Sequence, residues 1–262
     1  MEKVGLTGIE KKIAIVSGKG GTGKSTLSSL LALALAAKGK RVGLLDIDVH
    51  GPNIPLMLGV EGKKMDADKN KRLLPVEARP RLKVVSTSFM LKADQALIWR
   101  GPLKSSLIRQ AIEQTEWGCL DFLIVDNPPG TGDEIITLTQ MLKLDGSIIV
   151  GTPQAASAYD VKKAANMMKT ANVEILGLVE NMSYCVCPHC REKVDLFGQG
   201  RIKNLAKEEK IRFLGEIPLD PDLREMADKG RIKLNRLNPQ IKKTLGSITK
   251  RVECQKGKTP TK

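Results

Sequence analysis

Residues 18–26 read Gly18-Lys19-Gly20-Gly21-Thr22-Gly23-Lys24-Ser25-Thr26. A glycine, four residues and then Gly-Lys-Ser/Thr lets backbone N–H groups curl around a polyphosphate while the lysine reaches the β- and γ-phosphates. Lys24 is that lysine, and Ser25 is the hydroxyl expected on Mg²⁺. All nine residues are candidate nucleotide contacts. Lys19 is surplus to the pattern. A second ammonium this close to the phosphates reads as serving a neighbouring subunit's nucleotide, so the expected active unit is a homodimer.

Such a loop needs a buried strand before it and a helix after it. Ile13-Ala14-Ile15-Val16 is the apolar run feeding the loop. Thr26–Ala37 is rich in Leu and Ala and ends near Lys38-Gly39, a basic residue followed by a helix-stopping glycine. Further strands are expected over Arg41–Asp46, Leu82–Ser86, Phe122–Asp126, Ser147–Gly151, Ile175–Glu180 and Phe213–Ile217. Helices are expected near Leu103–Glu113, Glu134–Leu142, Ala156–Ala171 and Lys203–Lys210. The alternation predicts an α/β fold of the P-loop NTPase kind, a mostly parallel sheet flanked by helices on both faces. With no repeat or low-complexity linker, residues 1–253 are expected to form one domain and 254–262 a basic disordered tail.

The chain of 262 residues has a net charge of +14, unevenly spread. From Lys229 onward eleven Lys/Arg face a single acidic residue, Glu253, so this end alone carries +10. The remainder is nearly balanced. Aromatics make up 3 % of the chain, too few for the stacking platforms of single-strand binders, and specific nucleic-acid binding is not expected. No apolar run reaches the roughly 18 residues of a membrane span. The N-terminus lacks a signal-peptide layout. Five cysteines, an odd number in a chain of this size, do not suggest a disulfide framework. A cytoplasmic protein with reduced thiols is expected.

Ligands in such sheets sit beyond the carboxyl ends of the strands. Two strands end there in acid. Asp46-Ile47-Asp48-Val49-His50-Gly51-Pro52 carries acids at i and i+2, able to serve Mg²⁺ and an attacking water; His50 reads as a surface residue. Asp126-Asn127-Pro128-Pro129-Gly130-Thr131-Gly132-Asp133 offers an outer-shell partner for a Mg²⁺-bound water, then glycines free to move when the γ-phosphate leaves. Lys19, Lys24, Asp46 and Asp48 are the candidate catalytic groups.

Cys185-Val186-Cys187-Pro188-His189-Cys190 holds a Cys-x-x-Cys pair, Cys187 and Cys190, that can aim two thiolates at one metal. An Fe–S cluster or a structural Zn²⁺ usually takes four ligands. Cys119 and Cys254 stand alone, so the chain supplies half a site and the other half is expected from a symmetry mate. Fe–S and Zn²⁺ both stay open for this pair. Cys185 reads equally as a spare ligand or a small packing residue.

Together these segments resemble the Mrp/ApbC (Nbp35-type) P-loop ATPases, in the larger group that includes MinD, the partition ATPases and the nitrogenase iron protein. The likeness runs through Gly18–Thr26, Asp46–Pro55, Trp99-Arg100-Gly101-Pro102, Trp117-Gly118, Asp126–Glu134, Glu180–Ser183, Cys187–Cys190, Asp195–Gly198 and Leu214–Pro221. It implies an ATPase of slow intrinsic turnover that holds a [4Fe–4S] cluster between two subunits and passes it to apoproteins. By the same resemblance Lys19 crosses the dimer, Asp48 orients water with Asp46 supporting it, and Asp126 closes the Mg²⁺ shell. Asn181 contacts the adenine, with Pro218 also counted among the nucleotide contacts, and Cys187 and Cys190 ligate the cluster. Met182-Ser183 follows Asn181 where a guanine reader would have Lys-x-Asp, which favours ATP. Arg191 stands where glycine is frequent, so the local turn can differ there.

The alternative is a MinD/ParA-like positioning or partition ATPase with a structural zinc clasp at the dimer interface. Its support is the stripe Ile241, Leu245, Ile248 and Val252 among Lys242, Lys243, Lys250 and Arg251. Such a helix can lie on lipid or pack on the sheet.

Overall fold

The computed structural model describes residues 6, 8–49, 51–90, 101–130, 135, 138–139, 141–187 and 189–255, with backbone only at 101–104. His50, Trp99, Arg100, residues 131–134, residues 136, 137 and 140 of the helix expected over Glu134–Leu142, Pro188 and residues 256–262 of the expected tail lie outside them.

The first strand, β1 (Ile9–Ser17), is buried on both faces, which is why its apolar residues run without alternation. Ile13 and Ile15 join one core with Leu27, Leu31 and Leu35 of helix α1 (Lys24–Ala37). Ala14 and Val16 join the other with Ile108 and Ile112 of α3 (Gly101–Glu113) and Val161 and Met168 of α4 (Ala155–Thr170). Between α1 and α3 come β2 (Val42–Asp46), α2 (Ile54–Leu58), the small pair β3 (Asp66–Ala67) and β4 (Leu73–Leu74), β5 (Val76–Arg79) and β6 (Leu82–Ser86). β7 (Leu120–Asp126) and β8 (Gly146–Gly151) precede α4. After it come β9 (Ile175–Val186), β10 (Lys193–Val194), α5 (Arg201–Glu208), β11 (Phe213–Leu219), α6 (Pro221–Asp228) and α7 (Pro239–Glu253).

The main sheet runs β10-β9-β8-β1-β7-β2-β6-β5, with β11 also on β9. Its pairings are parallel except at β5 and β10. The register sets Asp46 directly beside Asp126 at the ends of β2 and β7, so both acids leave the sheet at the same edge as the loop after β1.

The expected parallel sheet with helices on both faces is present. Three differences matter for function. β9 continues past Glu180 to Val186, because β11 and β10 pair with it there: Leu219 and Val194 both register with Cys185. The apolar stripe of α7 is buried, Ile241, Ile248 and Val252 at 0 %, in the core shared with α1 and β11, which removes it from any lipid surface. Gln255, assigned from sequence to the tail, is buried and its Nε2 donates to Asp145 O at 3.0 Å and Glu174 Oε2 at 2.8 Å. The packed chain therefore extends at least two residues beyond Glu253. No helix among the described residues is long and apolar enough to cross a membrane.

Candidate nucleotide and metal site

α1 begins without a side-chain cap: Gly23 is its N-cap, in the left-handed conformation (φ 82°). Uncapped N–H groups and the helix dipole make this end a ready anion site. Gly23 also leaves room for Asn181, since a Cβ there would lie 2.0 Å from Asn181 Nδ2, and its φ of 82° is one that side chains rarely adopt. Gly18 is pressed against α4 in the same way, with Asp160 backbone atoms 2.4 Å from where its Cβ would be. The loop is thus clamped from two sides into the path its sequence predicts.

Lys24 is buried among carboxylates. Its Nζ lies 2.8 Å from Asp126 Oδ2 and 3.7 Å from Asp48 Oδ2. Asp126 Oδ2 also accepts the Ser25 hydroxyl at 2.6 Å, and Asp126 Oδ1 accepts the Ser28 hydroxyl at 2.6 Å. Ser28 was not singled out from sequence; its position one turn after Lys24 was the only signal available. Thr22 Oγ1 is buried without a hydrogen-bond partner among the described residues. A cleft of about 260 Å³ lies over these groups, lined by loop residues together with Asp48, Asn53, Met57, Pro129 and Met182.

Asp46 does not line that cleft. Its Oδ1 accepts the Asp48 N–H at 3.1 Å and its Oδ2 accepts the Ser86 hydroxyl at 3.0 Å. The sequence reading grouped it with the catalytic acids in support of Asp48, and here it holds the Asp48 backbone N–H. Burial, and after it the neighbouring Asp126, push its carboxyl well above the usual range. The fold therefore retains a proton that the unfolded chain releases near pH ~4. Stability from this group is full below that pH and is lost as pH rises. Asp46→Asn keeps an acceptor for Asp48 N–H and gives Ser86 a donor. It is expected to melt several degrees above the wild type at neutral pH, with the gap closing on acidification. Thermal scans across pH check this, and a pH-independent gap would refute it.

Lys19 Nζ donates to the neutral Gln154 Oε1 at 3.0 Å and has no carboxylate partner among the described residues. Its charge is left uncompensated at the cleft entrance. Asn181 Nδ2 donates to Thr22 O at 2.8 Å, so it braces the phosphate loop while lining a second, apolar pocket. That pocket, about 450 Å³, shares Gly23, Thr26, Met57 and Met182 with the phosphate cleft and also includes Pro218, Leu219 and Leu223. A polar cleft opening into an apolar slot suits a ligand with an anionic end and an apolar end.

The same β9 that carries Asn181 ends in the cysteines. Between them Met182 has φ 54°, and the register with β11 slips, Ile217 facing Asn181 but Leu219 facing Cys185. β9 and β10 form a hairpin whose tip closes through Cys187 N–H to Glu192 O at 2.9 Å and Arg191 N–H to Cys187 O at 3.0 Å. Arg191 takes φ 64°, the left-handed conformation that glycine adopts freely, so the turn keeps a glycine-like shape at some strain. Hydrogen bonds from the Cys190 and His189 backbone, then from the Cys190 side chain, hold the Cys187 thiol below its ordinary range. Cys190 is exposed and Cys187 half-buried. No group of three or more potential metal ligands occurs among the described residues. Cys187 and Cys190 are therefore a pair, not a complete site; Cys119 and Cys254 are exposed elsewhere on the surface.

Comparison with known proteins gives the family and the fold. The sequence model of a ParA-type family, described as NUBPL iron-transfer P-loop NTPase, matches residues 8–253. An iron–sulfur cluster carrier protein of Pyrococcus horikoshii is 48 % identical over 229 residues, 84 % of this chain and 77 % of its own. A nucleotide-binding protein of Archaeoglobus fulgidus, solved in complex with ADP, superposes with TM-score 0.78 at 42 % identity, covering 90 % of this chain and 91 % of that one. The septum site-determining protein MinD of P. horikoshii, complexed with Mg-ADP, shares the fold with TM-score 0.62 at 24 % identity, over 93 % and 94 % of the two chains. The chain belongs to the family of NUBPL iron-transfer P-loop NTPases.

Proposed function

We propose that this protein is a slow ATPase that carries a [4Fe–4S] cluster between two copies of itself and delivers it to apoproteins. The observation carrying this reading is one strand: β9 holds Asn181 and Met182 at the nucleotide pocket and Cys187 just beyond its end.

The loop N–H groups and Lys24 bind and orient the polyphosphate, and Lys19 of each copy reaches the partner's γ-phosphate. The hydroxyl and carboxylate oxygens around Ser25 and Asp126 suit a hard divalent cation. Mg²⁺ held there, by Ser25 directly and Asp126 through water, would neutralise charge developing on the phosphates. Asp48, anchored by Asp46, orients the attacking water. Asn181 and Pro218 flank the base. Cys187 and Cys190 from both copies supply four thiolates to the cluster, which is cargo. The reduced thiols this requires suit a cytoplasmic setting.

Anaerobic reconstitution with iron and sulfide tests the reading. About four iron and four sulfide per dimer, with ATP hydrolysis by the same preparation, are expected. One zinc per dimer without sulfide uptake would refute cluster carriage and favour the positioning ATPase with a zinc clasp.

A further inference from the structure

We propose that Ser28 is a positioning residue for Mg²⁺: its hydroxyl fixes one oxygen of Asp126 so that the other is aimed at the cation accompanying the nucleotide. The inference rests on the ATPase reading above.

Asp126 is fully buried at the end of β7, and its two oxygens have different partners. Oδ2 is engaged by Lys24 and Ser25, the two loop residues that face the phosphates. Oδ1 is engaged by Ser28 at 2.6 Å, and Ser28 itself is 0 % exposed. The last torsion of an aspartate is broad, so the side chain alone does not decide the tilt of the carboxylate plane toward the cleft. A short bond from Ser28 decides it.

Ser25 and Ser28 are three residues apart on one face of α1, so the helix that binds the phosphates also sets the angle of the carboxylate behind them. A buried helical serine ordinarily bonds the carbonyl four residues back. Lys24 O is within reach, at 3.1 Å. The hydroxyl has one proton, however, and the charged oxygen at 2.6 Å is the nearer and stronger acceptor. Alanine would be the better helix former here, so the hydroxyl is not explained by helix stability. Loss of a group that orients a metal's partner typically costs about 10–100-fold in metal affinity.

The experiment measures binding of a fluorescent ATP analogue as Mg²⁺ is titrated, with a parallel titration in EDTA. Ser28→Ala is expected to raise the Mg²⁺ concentration for half-saturation by at least about tenfold while leaving binding in EDTA within about twofold. Ser28→Thr, which keeps the hydroxyl, is expected to restore most of the wild-type Mg²⁺ dependence. A Ser28→Ala titration that coincides with the wild type overturns the role. So does equal weakening with and without Mg²⁺ alongside a lowered melting temperature, since that marks a packing defect. A wild-type protein without Mg²⁺-dependent nucleotide binding would instead refute the ATPase reading itself, and this role with it.

Discussion

Lys24→Ala is expected to abolish ATP hydrolysis and to weaken nucleotide binding by at least about 100-fold, the loss of charge-assisted hydrogen bonds to phosphate oxygens. The effect is large because the other loop ammonium, Lys19, donates to Gln154 at the cleft entrance and forms no ion pair with Asp126 or Asp48 among the described residues. Lys24 is buried at the head of α1, with Asp126 and Asp48 as its only ion-pair partners among the described residues. Without it, a polyphosphate would face those two carboxylates with no ammonium between, since Lys19 lies at the cleft entrance on Gln154. The substitution also strands Asp126, which is 0 % exposed, and breaking a buried pair from one side typically costs about 3–5 kcal/mol. Lost activity alone would therefore be ambiguous. The double variant Lys24→Ala/Asp126→Asn removes the orphaned charge and is expected to recover most of the lost melting temperature while staying inactive. Isothermal titration with ATP and thermal unfolding of both variants check this. Hydrolysis by a folded Lys24→Ala protein would show that Lys24 is not the phosphate lysine.

The nucleotide half of the site was legible in the sequence because its constraints are local. Strand, glycine-rich loop and helix follow one another within β1 and α1, and the steric demand at Gly23 shows up as a glycine. The acids after β2 and β7 were legible for a related reason, since parallel strands buried on both faces deliver their ends to one edge. What escaped were features that depend on pairings distant in sequence. β9 read as a strand ending at Glu180, because the hydrogen bonds extending it to Val186 come from β10 and β11. Ser28 meets Asp126 across 98 residues of chain, and Gln154 meets Lys19 across 135. α6 is a different case. Asp220-Pro221 is a readable start, an N-cap whose side chain accepts from Leu223 N–H followed by proline at the first turn, yet the helix is too short for periodicity to announce it. β5 is likewise brief, and it runs antiparallel at the sheet edge, where alternation carries little weight.

Cys187→Ala is expected to eliminate the reconstituted cluster while leaving ATP affinity within about twofold, because on the proposed reading Cys187 and Cys190 are the two thiolates each copy gives and a [4Fe–4S] cluster takes four. The geometry argues that the damage stays local. Cys187 is half-buried at a hairpin tip, and the bonds closing that tip run through its backbone to Glu192 and Arg191, which alanine preserves. Asn181 and Met182, the β9 residues lining the apolar pocket, are separated from it by the irregular stretch that begins at Met182. Cys190→Ala should behave alike, since Cys190 helps hold the Cys187 thiol below its ordinary range and supplies the second thiolate. Cys185 is the informative control. It lies within the sheet, in register with Val194 and Leu219, and its thiol donates to the Val186 carbonyl at 3.7 Å. Cys185→Ala is therefore expected to keep iron and sulfide at wild-type levels. Iron and sulfide analysis of the three reconstituted variants, with ATP titrations of each, separates the possibilities. Loss of the cluster in Cys185→Ala would make the site a three-cysteine one. Retention in Cys187→Ala would remove the hairpin from cluster binding altogether.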